Sequence, residues 1–437
     1  MRHVQIIGVD VSESSIKVLQ LNADNTVRAY GSASLVHGVV EKGRIIDAEA
    51  FSVALNNILK DTKPNSLLAE DGILKAVVCL PESKLFSHHC VIPDTVLKED
   101  LEAYICTEAQ KIIPFALDTL YWNYHVVEEQ GVRNATFVSI AKTDLENYVK
   151  AFTNAKVRPA FVGGELFALG QSLLPNPPFE EDYIILDIGA HSTNIGFFSI
   201  DAVPNVSILV PQGGEYFTQY LIERLKILPE EAEQMKRQYG VNMAHDATQV
   251  PVLLRECLLP IIEKINEAKI YFEQKTGKPV THLIIAGGSA LLPQIDVVIS
   301  EKLGIDVRVA NPLVKIEGHE LFGDGTPSIF FANVIGLALC AKKADFTDIN
   351  LLTQYRDDEN VIEEESLALQ DIRSFSDFQY VFNTFIRSMK VLVATKPNFL
   401  KQSILAIKGH IHMKLFATMF FVLGACAFLV WVVINYL

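Results

Sequence analysis

The chain has 437 residues, 49% of them apolar and 21% charged, which is enough for two to four packed domains or subdomains. Its formal net charge of −14 excludes nucleic acid as a main partner, because a phosphate backbone needs a basic face. Cysteines at 79, 90, 106, 257, 340 and 426 form no CxxC pair, so the composition is that of a reduced cytosolic chain rather than a disulfide framework.

Along the chain, apolar β-rich runs alternate with amphipathic helices as far as residue 340, the pattern of an α/β protein. The opening MRHVQIIGVD has too short an apolar run for a signal peptide and reads as a first strand. Further strands are expected at SIKVLQL, LKAVVCL, ATFVSIA, YIILDIG, TNIGFFSI and THLIIAGG. Helices are expected at 50–61, 97–110, 143–155, 216–225, 229–239, 249–276, 292–303 and 331–341. His88, His89 and Cys90 are consecutive, and consecutive strand side chains point to opposite faces, so they make an awkward metal site.

Beyond residue 342 the character changes. Residues 355–371 are acid-rich and read as a solvated linker, and 372–414 become increasingly basic. The stretch 378–393 mixes aromatic and aliphatic residues with Arg387 and Lys390, which suits either the anionic inner leaflet or a plain connecting helix. Residues 415–434 are twenty positions without a charge, and twenty helical residues span roughly 30 Å, the thickness of a bilayer core. Six Lys or Arg residues from Arg387 to Lys414 precede this span, and no acid follows Asp377. The positive-inside rule then puts residues 1–414 in the cytoplasm, held at the inner membrane by a single pass.

The chain contains an internal echo. Residues 6–12 read IIGVDVS and residues 184–192 read IILDIGAHS, each a buried-looking strand ending in Asp, with Asp10 and Asp187 lying 177 positions apart. A triphosphate with Mg²⁺ needs small residues for close backbone approach, hydroxyl donors, and carboxylates for a metal that keeps most of its waters. Asp10 and Asp187 are the candidate carboxylates. Ser12, Ser14, Ser15, Ser192 and Thr193 are the candidate hydroxyls, Gly189 is the small residue of the second loop, and Lys17 is a candidate phosphate cation. Two more glycine loops accompany them: Gly213-Gly214 before a helix containing Thr218, and Gly287-Gly288-Ser289 after the strand THLIIA. Each loop alone is also the signature of an ordinary tight turn. Neither a GxxxxGK[ST] loop nor a GxGxxG fingerprint occurs, which removes the P-loop and classical dinucleotide readings.

In this order, GVDVSESSIK, DIGAHST, QGGEYFT and IIAGGSALLP resemble the phosphate and adenosine loops of the actin, sugar-kinase and DnaK superfamily. Within it the chain most resembles the PilM family of type IV pilus assembly, kin of the division protein FtsA. EAQKIIPF at 108–115 resembles the inserted-subdomain region of that family, and FANVIGLAL at 331–339 its closing helix. The resemblance implies an actin-like, duplicated RNase H-like fold over residues 1–342, with an inserted subdomain at about 80–160 and a second lobe at about 180–325. It implies ATP and Mg²⁺ as ligands, a scaffold role with at most slow ATP turnover, and inner-membrane pilus or secretion proteins as partners. It leaves self-association open. His191 stands where this family commonly has a small residue, which would crowd the second loop.

Asp348-Ile349-Asn350-Leu351-Leu352 resembles the INLL motif of PilN, the membrane partner whose tail docks on PilM. Followed here by a membrane span, it implies a PilM–PilN fusion with Ile349, Asn350, Leu351 and Leu352 as docking residues, tethered at high effective concentration. The other reading of INLL is an ordinary apolar tetrapeptide. For hydrolysis, Glu165 is the candidate water-positioning group by its place between the halves, against the simpler reading of a surface carboxylate at a helix start. The alternatives in the same superfamily are an FtsA-like division scaffold, a slow ATPase and a small-molecule kinase.

Overall fold

The structure, a computed structural model, describes residues 6–67, 74–129, 131–317, 326–342 and 349–355. The expected span at 415–434 and the basic stretch before it lie outside these residues. Among the described residues no helix is long and apolar enough to cross a membrane.

The first lobe begins with β1 (Ile6–Val11), β2 (Ser15–Leu21) and β3 (Val27–Ser34), which pair antiparallel in sequence. The small hairpin of β4 (Val40–Glu41) and β5 (Arg44–Ile45) leads to α1 (Ala48–Asp61). Asp47 caps that helix by accepting hydrogen bonds from the Glu49 and Ala50 amides. The short β6 (Lys63–Pro64) borders β3, and β7 (Leu74–Leu80) returns parallel beside β1. The chain then leaves the lobe to build an inserted subdomain. It comprises β8 (Leu85–Ile92), α2 (Leu101–Gln110), β9 (Leu120–Glu129) and β10 (Val132–Ala141), in sheet order β8-β10-β9, with its own core around Ile105, Ala109 and Phe137. The helix α3 (Lys142–Asn154) brings it back, and β11 (Val157–Gly164) completes the lobe parallel to β7.

After α4 (Glu165–Leu173), the second lobe repeats the plan. Its strands β12 (Asp182–Ile188), β13 (Thr193–Phe198) and β14 (Val206–Val210) pair antiparallel in sequence. The helices α5 (Gly214–Leu225), α6 (Pro229–Tyr239) and α7 (Val250–Thr276) cross to β15 (Val280–Ala286), parallel to β12. Then α8 (Ile295–Leu303) leads to β16 (Asp306–Val309), and α9 (Ala332–Cys340) ends the repeat. Sheet order is β3-β2-β1-β7-β11 in the first lobe, with β6 outside β3, and β14-β13-β12-β15-β16 in the second. Strand for strand, these are one topology used twice, with the same pattern of antiparallel and parallel neighbours.

Two helices stitch the copies together. The helix α9 comes from the second repeat yet packs on β1 and β2 of the first, and it crosses α4. Small residues permit the contact: a Cβ on Gly336 would sit 1.8 Å from the Ala168 carbonyl oxygen, and one on Gly8 would sit 2.7 Å from the Ala338 amide nitrogen.

Two helices start later than the sequence suggests. The expected 97–110 helix opens as a short turn and is α-helical only from Leu101. The expected 292–303 helix starts at Ile295, because Leu292-Pro293 first closes a separate turn.

Candidate functional site

The hairpins β1–β2 and β12–β13 are equivalent residue by residue at the 177-position offset. Ser12 N donates to Ser15 O at 2.9 Å, and Gly189 N donates to Ser192 O at 2.9 Å. Register fixes what faces each Asp: Asp10 lies opposite Lys17, and Asp187 lies opposite Asn194. The two tips meet across the cleft, where His191 Nε2 lies 3.3 Å from Glu13 Oε2.

The carboxylates have unequal surroundings. Asp10 is buried and accepts a hydrogen bond from Lys17 Nζ at 3.1 Å. Beneath it the Cys79 thiol donates to the second oxygen at 3.7 Å, and burial together with Asp10 pushes that thiol far above its ordinary range, so it is inert. Asp187 has no such cation, and burial plus the nearby Asp10 raise its carboxyl to about 6. Glu165 lies at the start of α4, and its carboxyl is raised well above the usual range by burial, then by Asp187 and Asp10. It accepts a hydrogen bond from Asn194 Nδ2 at 3.3 Å. Glu165 is therefore part of the cleft floor and not a surface carboxylate, which corrects the simpler sequence reading. Glu82, also buried and raised by desolvation, accepts from the Leu166 amide at 3.0 Å and from Ser207 Oγ at 2.9 Å, and so ties α4 to the second lobe.

The other expected groups divide by what they touch. Ser12 and Ser15 bond each other, Oγ to Oγ at 3.0 Å, and Lys17 Nζ also reaches Ser15 Oγ at 3.3 Å. Ser14 is exposed at the first tip, and Ser192 closes the second turn through its carbonyl. Thr193 is fully buried and donates its hydroxyl to the Gln212 carbonyl at 2.7 Å, so its proton holds two loops together rather than facing the cleft. Gly213 and Gly214 serve loop-to-loop contact: Gly214 N donates to Gly189 O and Glu215 N to Ala190 O, both at 2.9 Å. A Cβ on Gly213 would meet the Ala190 oxygen at 2.5 Å. Gly287 takes a φ of +80°, and a Cβ there would lie 2.4 Å from Ile188 O and 2.6 Å from Asp187 Oδ1. The exposed Gly288 sits beside the partly exposed ring of Phe330, and Ser289 is buried with its hydroxyl against Gly214.

Several cleft residues escape the sequence reading. Lys236, on α6, is buried and uses its three protons on Gly214 O (2.9 Å), Thr218 Oγ1 (2.7 Å) and Glu233 Oε2 (2.6 Å). Burial opposes the charge of Glu233, but hydrogen bonds from Lys236, Thr218 and Arg237 overcome it and hold the carboxyl down at about 2. In sequence, Glu233, Lys236 and Arg237 look like any charged helix face. Only the fold shows that this face closes over the glycine loops.

The residues fit a metal-bound triphosphate. The floor is acidic, so a polyanion needs a divalent cation to enter. Among the described residues no group of three or more His, Cys, Asp or Glu side chains is set to hold a metal directly. Asn194 Oδ1 on β13 and Gln212 Oε1 in the loop before α5 are buried without any hydrogen-bond partner. The five described cysteines are free.

The expected docking residues are all buried. Asn350 Oδ1 accepts from Val162 N at 3.2 Å, its Nδ2 donates to Ala160 O at 3.2 Å, and Leu351 N donates to Val162 O at 3.0 Å. These bonds cover the free edge of β11. From the other side, Asn123 Nδ2 on β9 donates to Asn350 O at 3.1 Å. Ile349 (2% exposed), Leu351 (0%) and Leu352 (2%) enter the first lobe's core, although Ile349 adopts φ +49°, an unfavourable region for a β-branched residue.

A family model described as type IV pilus assembly protein PilM matches residues 8–339. A solved chain of a PilM–PilN type IV pilus biogenesis complex shares the fold with a TM-score of 0.61 at 19% identity, covering 78% of this chain and 99% of that one. The cell division protein FtsA of Streptococcus pneumoniae is 22% identical over 432 residues, spanning 89% of this chain and 90% of that protein. FtsA of Bacillus subtilis is 26% identical over 204 residues, or 42% of this chain and 46% of that protein. The duplicated two-lobed architecture is thus the actin-like one.

Proposed function

This chain belongs to the type IV pilus assembly protein PilM family, and from that premise we propose that it is a membrane-anchored, ATP-binding scaffold for pilus or secretion assembly. Mg²⁺-bound ATP takes the cleft between the lobes. Asp10 and Asp187 would hold the metal, the two hairpin tips and Lys17 would hold phosphate, and the loop Gly287-Gly288-Ser289 with Glu233 and Lys236 would border the nucleoside. One observation carries this reading: two hairpins equivalent at a 177-residue offset meet at one acidic cleft.

The segment 349–352 is a PilN-like docking peptide held by the chain itself, and 415–434 is the anchor that leaves residues 1–414 in the cytoplasm. The solved PilM–PilN complex supports an inner-membrane pilus protein as partner. Glu165, held beside Asn194 on the cleft floor, is the residue placed to orient water, and turnover is at most slow. The long match to FtsA favours a second reading, a division scaffold of the same build.

The test uses the full-length chain with Mg²⁺. Nucleotide affinity by calorimetry should fall at least a hundredfold in the Asp10→Ala, Asp187→Ala double variant, and phosphate release should be slower than one per minute. Unchanged affinity in the double variant would end the nucleotide reading, and rapid release would end the scaffold reading. Fractionation of cells carrying the chain with and without 415–437 tests the anchor.

A further inference from the structure

The second hairpin tip carries a side chain that its duplicate lacks. At the position equivalent to the exposed Ser14 stands His191, whose ring lies between two carboxylates. Its Nε2 is 3.3 Å from Glu13 Oε2 on the first lobe's tip, and its Nδ1 is 3.1 Å from Glu215 Oε2 in the first turn of α5. Each ring nitrogen thus lies within ion-pairing distance of a different acid, one from each lobe. The ring bridges the two lobes at the mouth of the cleft.

All three groups are solvent-reached, with side-chain exposures of 54% for His191, 36% for Glu13 and 66% for Glu215. Exposed pairs of this kind are weak and readily exchanged. A terminal phosphate is the stronger acceptor for the same donor, with more charge and three oxygens. The amides of Glu13 and Ser14 close no turn among the described residues, so the first tip has donors of its own once the Glu13 side chain swings away.

We propose that His191 is the residue by which this cleft distinguishes a nucleoside triphosphate from a diphosphate. Without nucleotide it ties the two tips together through Glu13 and Glu215. With a triphosphate present, His191 leaves Glu13 and donates to the terminal phosphate, keeping Glu215 as its orienting partner. With a diphosphate, the bridge to Glu13 persists. The inference rests on the nucleotide reading above and adds the group that senses the last phosphate.

The test compares the affinities of the full-length chain for a non-hydrolysable ATP analogue and for ADP, both with Mg²⁺, using displacement of a fluorescent ADP. In His191→Ala the analogue should weaken roughly tenfold, the worth of one charge-assisted hydrogen bond, while ADP changes less than twofold. In Glu13→Gln the competing carboxylate is neutralised, so the analogue should tighten about threefold and ADP stay put. A thermal melt confirms that both surface variants are folded. Equal changes for the two nucleotides in His191→Ala, or none, overturn the proposal while leaving the nucleotide site standing. A wild-type chain that binds neither nucleotide overturns both.

Discussion

The two lobes share a strand order and a hairpin geometry, yet they treat their central carboxylates in opposite ways. In the first lobe the residue facing Asp10 is Lys17; in the second the residue facing Asp187 is Asn194. Where β15 ends in Ala286-Gly287-Gly288, its counterpart β7 ends in Cys79-Leu80-Pro81 and then the buried Glu82. Duplication thus supplies the framework, and a few register positions supply the chemistry. One half is a charge-paired clamp. The other carries an uncompensated acid next to a backbone crossing that only glycine permits.

The largest effect should come from that crossing. Gly287→Val combines a positive φ with a Cβ driven into Asp187 Oδ1 and into the Ile188 backbone, 2.4 Å from its O and 2.7 Å from its C, which cannot retreat as a side chain can. A loss of at least about 4 kcal/mol in unfolding free energy is expected, together with loss of nucleotide binding. A stable, nucleotide-binding variant would mean that the two loops do not cross as described.

The two aspartates should respond with opposite signs. Asp10→Asn strands Lys17, whose side chain is only 14% exposed, and should cost about 3 kcal/mol. Asp187→Asn removes a desolvated, repelled carboxylate and should add about 2 kcal/mol at pH 7.5 while weakening Mg²⁺-nucleotide binding. The pH dependence follows the same sign. The folded chain holds the Asp187 proton up to about 6, whereas the unfolded chain releases it near 3.8, so this group's stabilisation is complete below the lower value and is lost as pH rises through the upper. Urea midpoints at pH 5 and pH 8 should therefore differ in the wild type by more than in Asp187→Asn. Equal pH slopes would show that Asp187 is not the acid responsible.

This asymmetry was half legible in the sequence. The echo between 6–12 and 184–192 could be read because a buried strand ending in Asp stands out in any surroundings. Lys236 could not be read, because a charged residue on α6 looks solvated until α5 and the glycine loops cover it. Glu165 was open to a surface reading for the same reason: Asp187 and Asp10, whose charges together with burial raise its carboxyl, come from two distant parts of the chain. The strand β11 escaped notice because Pro159 interrupts its pattern, and the structure shows a register shift there. The apolar tetrapeptide at 349–352 stood out in the sequence, but the bare edge of β11 that it covers did not.

That edge gives the next prediction. Asn350 satisfies Val162 N and Leu352 N with one oxygen and Ala160 O with its amide, all in a buried setting. Asn350→Ala should cost about 2 kcal/mol and leave the Val162 amide open to exchange. The strained φ of Ile349 favours release once this anchor is gone. Hydrogen exchange at Val162 is the measurement. A protected amide in the variant would mean that Ile349, Leu351 and Leu352 hold the segment without Asn350. No change is expected at the hairpins, which would separate the β11 edge from the cleft.

The smallest effects lie where the lobes differ in how their helices end. In the second lobe, α7 and α8 stop at Gly277 (φ +71°) and Gly304 (φ +68°), left-handed caps with open space where a Cβ would go. In the first, α1 and α4 stop at Thr62 and Leu174 with negative φ, so no glycine is required. Gly277→Ala and Gly304→Ala should each cost only about 1 kcal/mol, the intrinsic penalty of the left-handed region for a residue with a Cβ, since nothing is there to clash. The contrast with Gly287 is what matters. All three share nearly the same φ, but Gly287 combines it with ψ 172°, a region essentially confined to glycine, whereas Gly277 and Gly304 have ψ 9° and 29°, in the left-handed helical region. Gly287→Ala should therefore cost several times more than Gly304→Ala in the same urea titration, through its backbone conformation and its close approach to Ile188 and Asp187 together. If the three costs are equal, neither the backbone at Gly287 nor the packing of the β12–β13 turn against it carries stability.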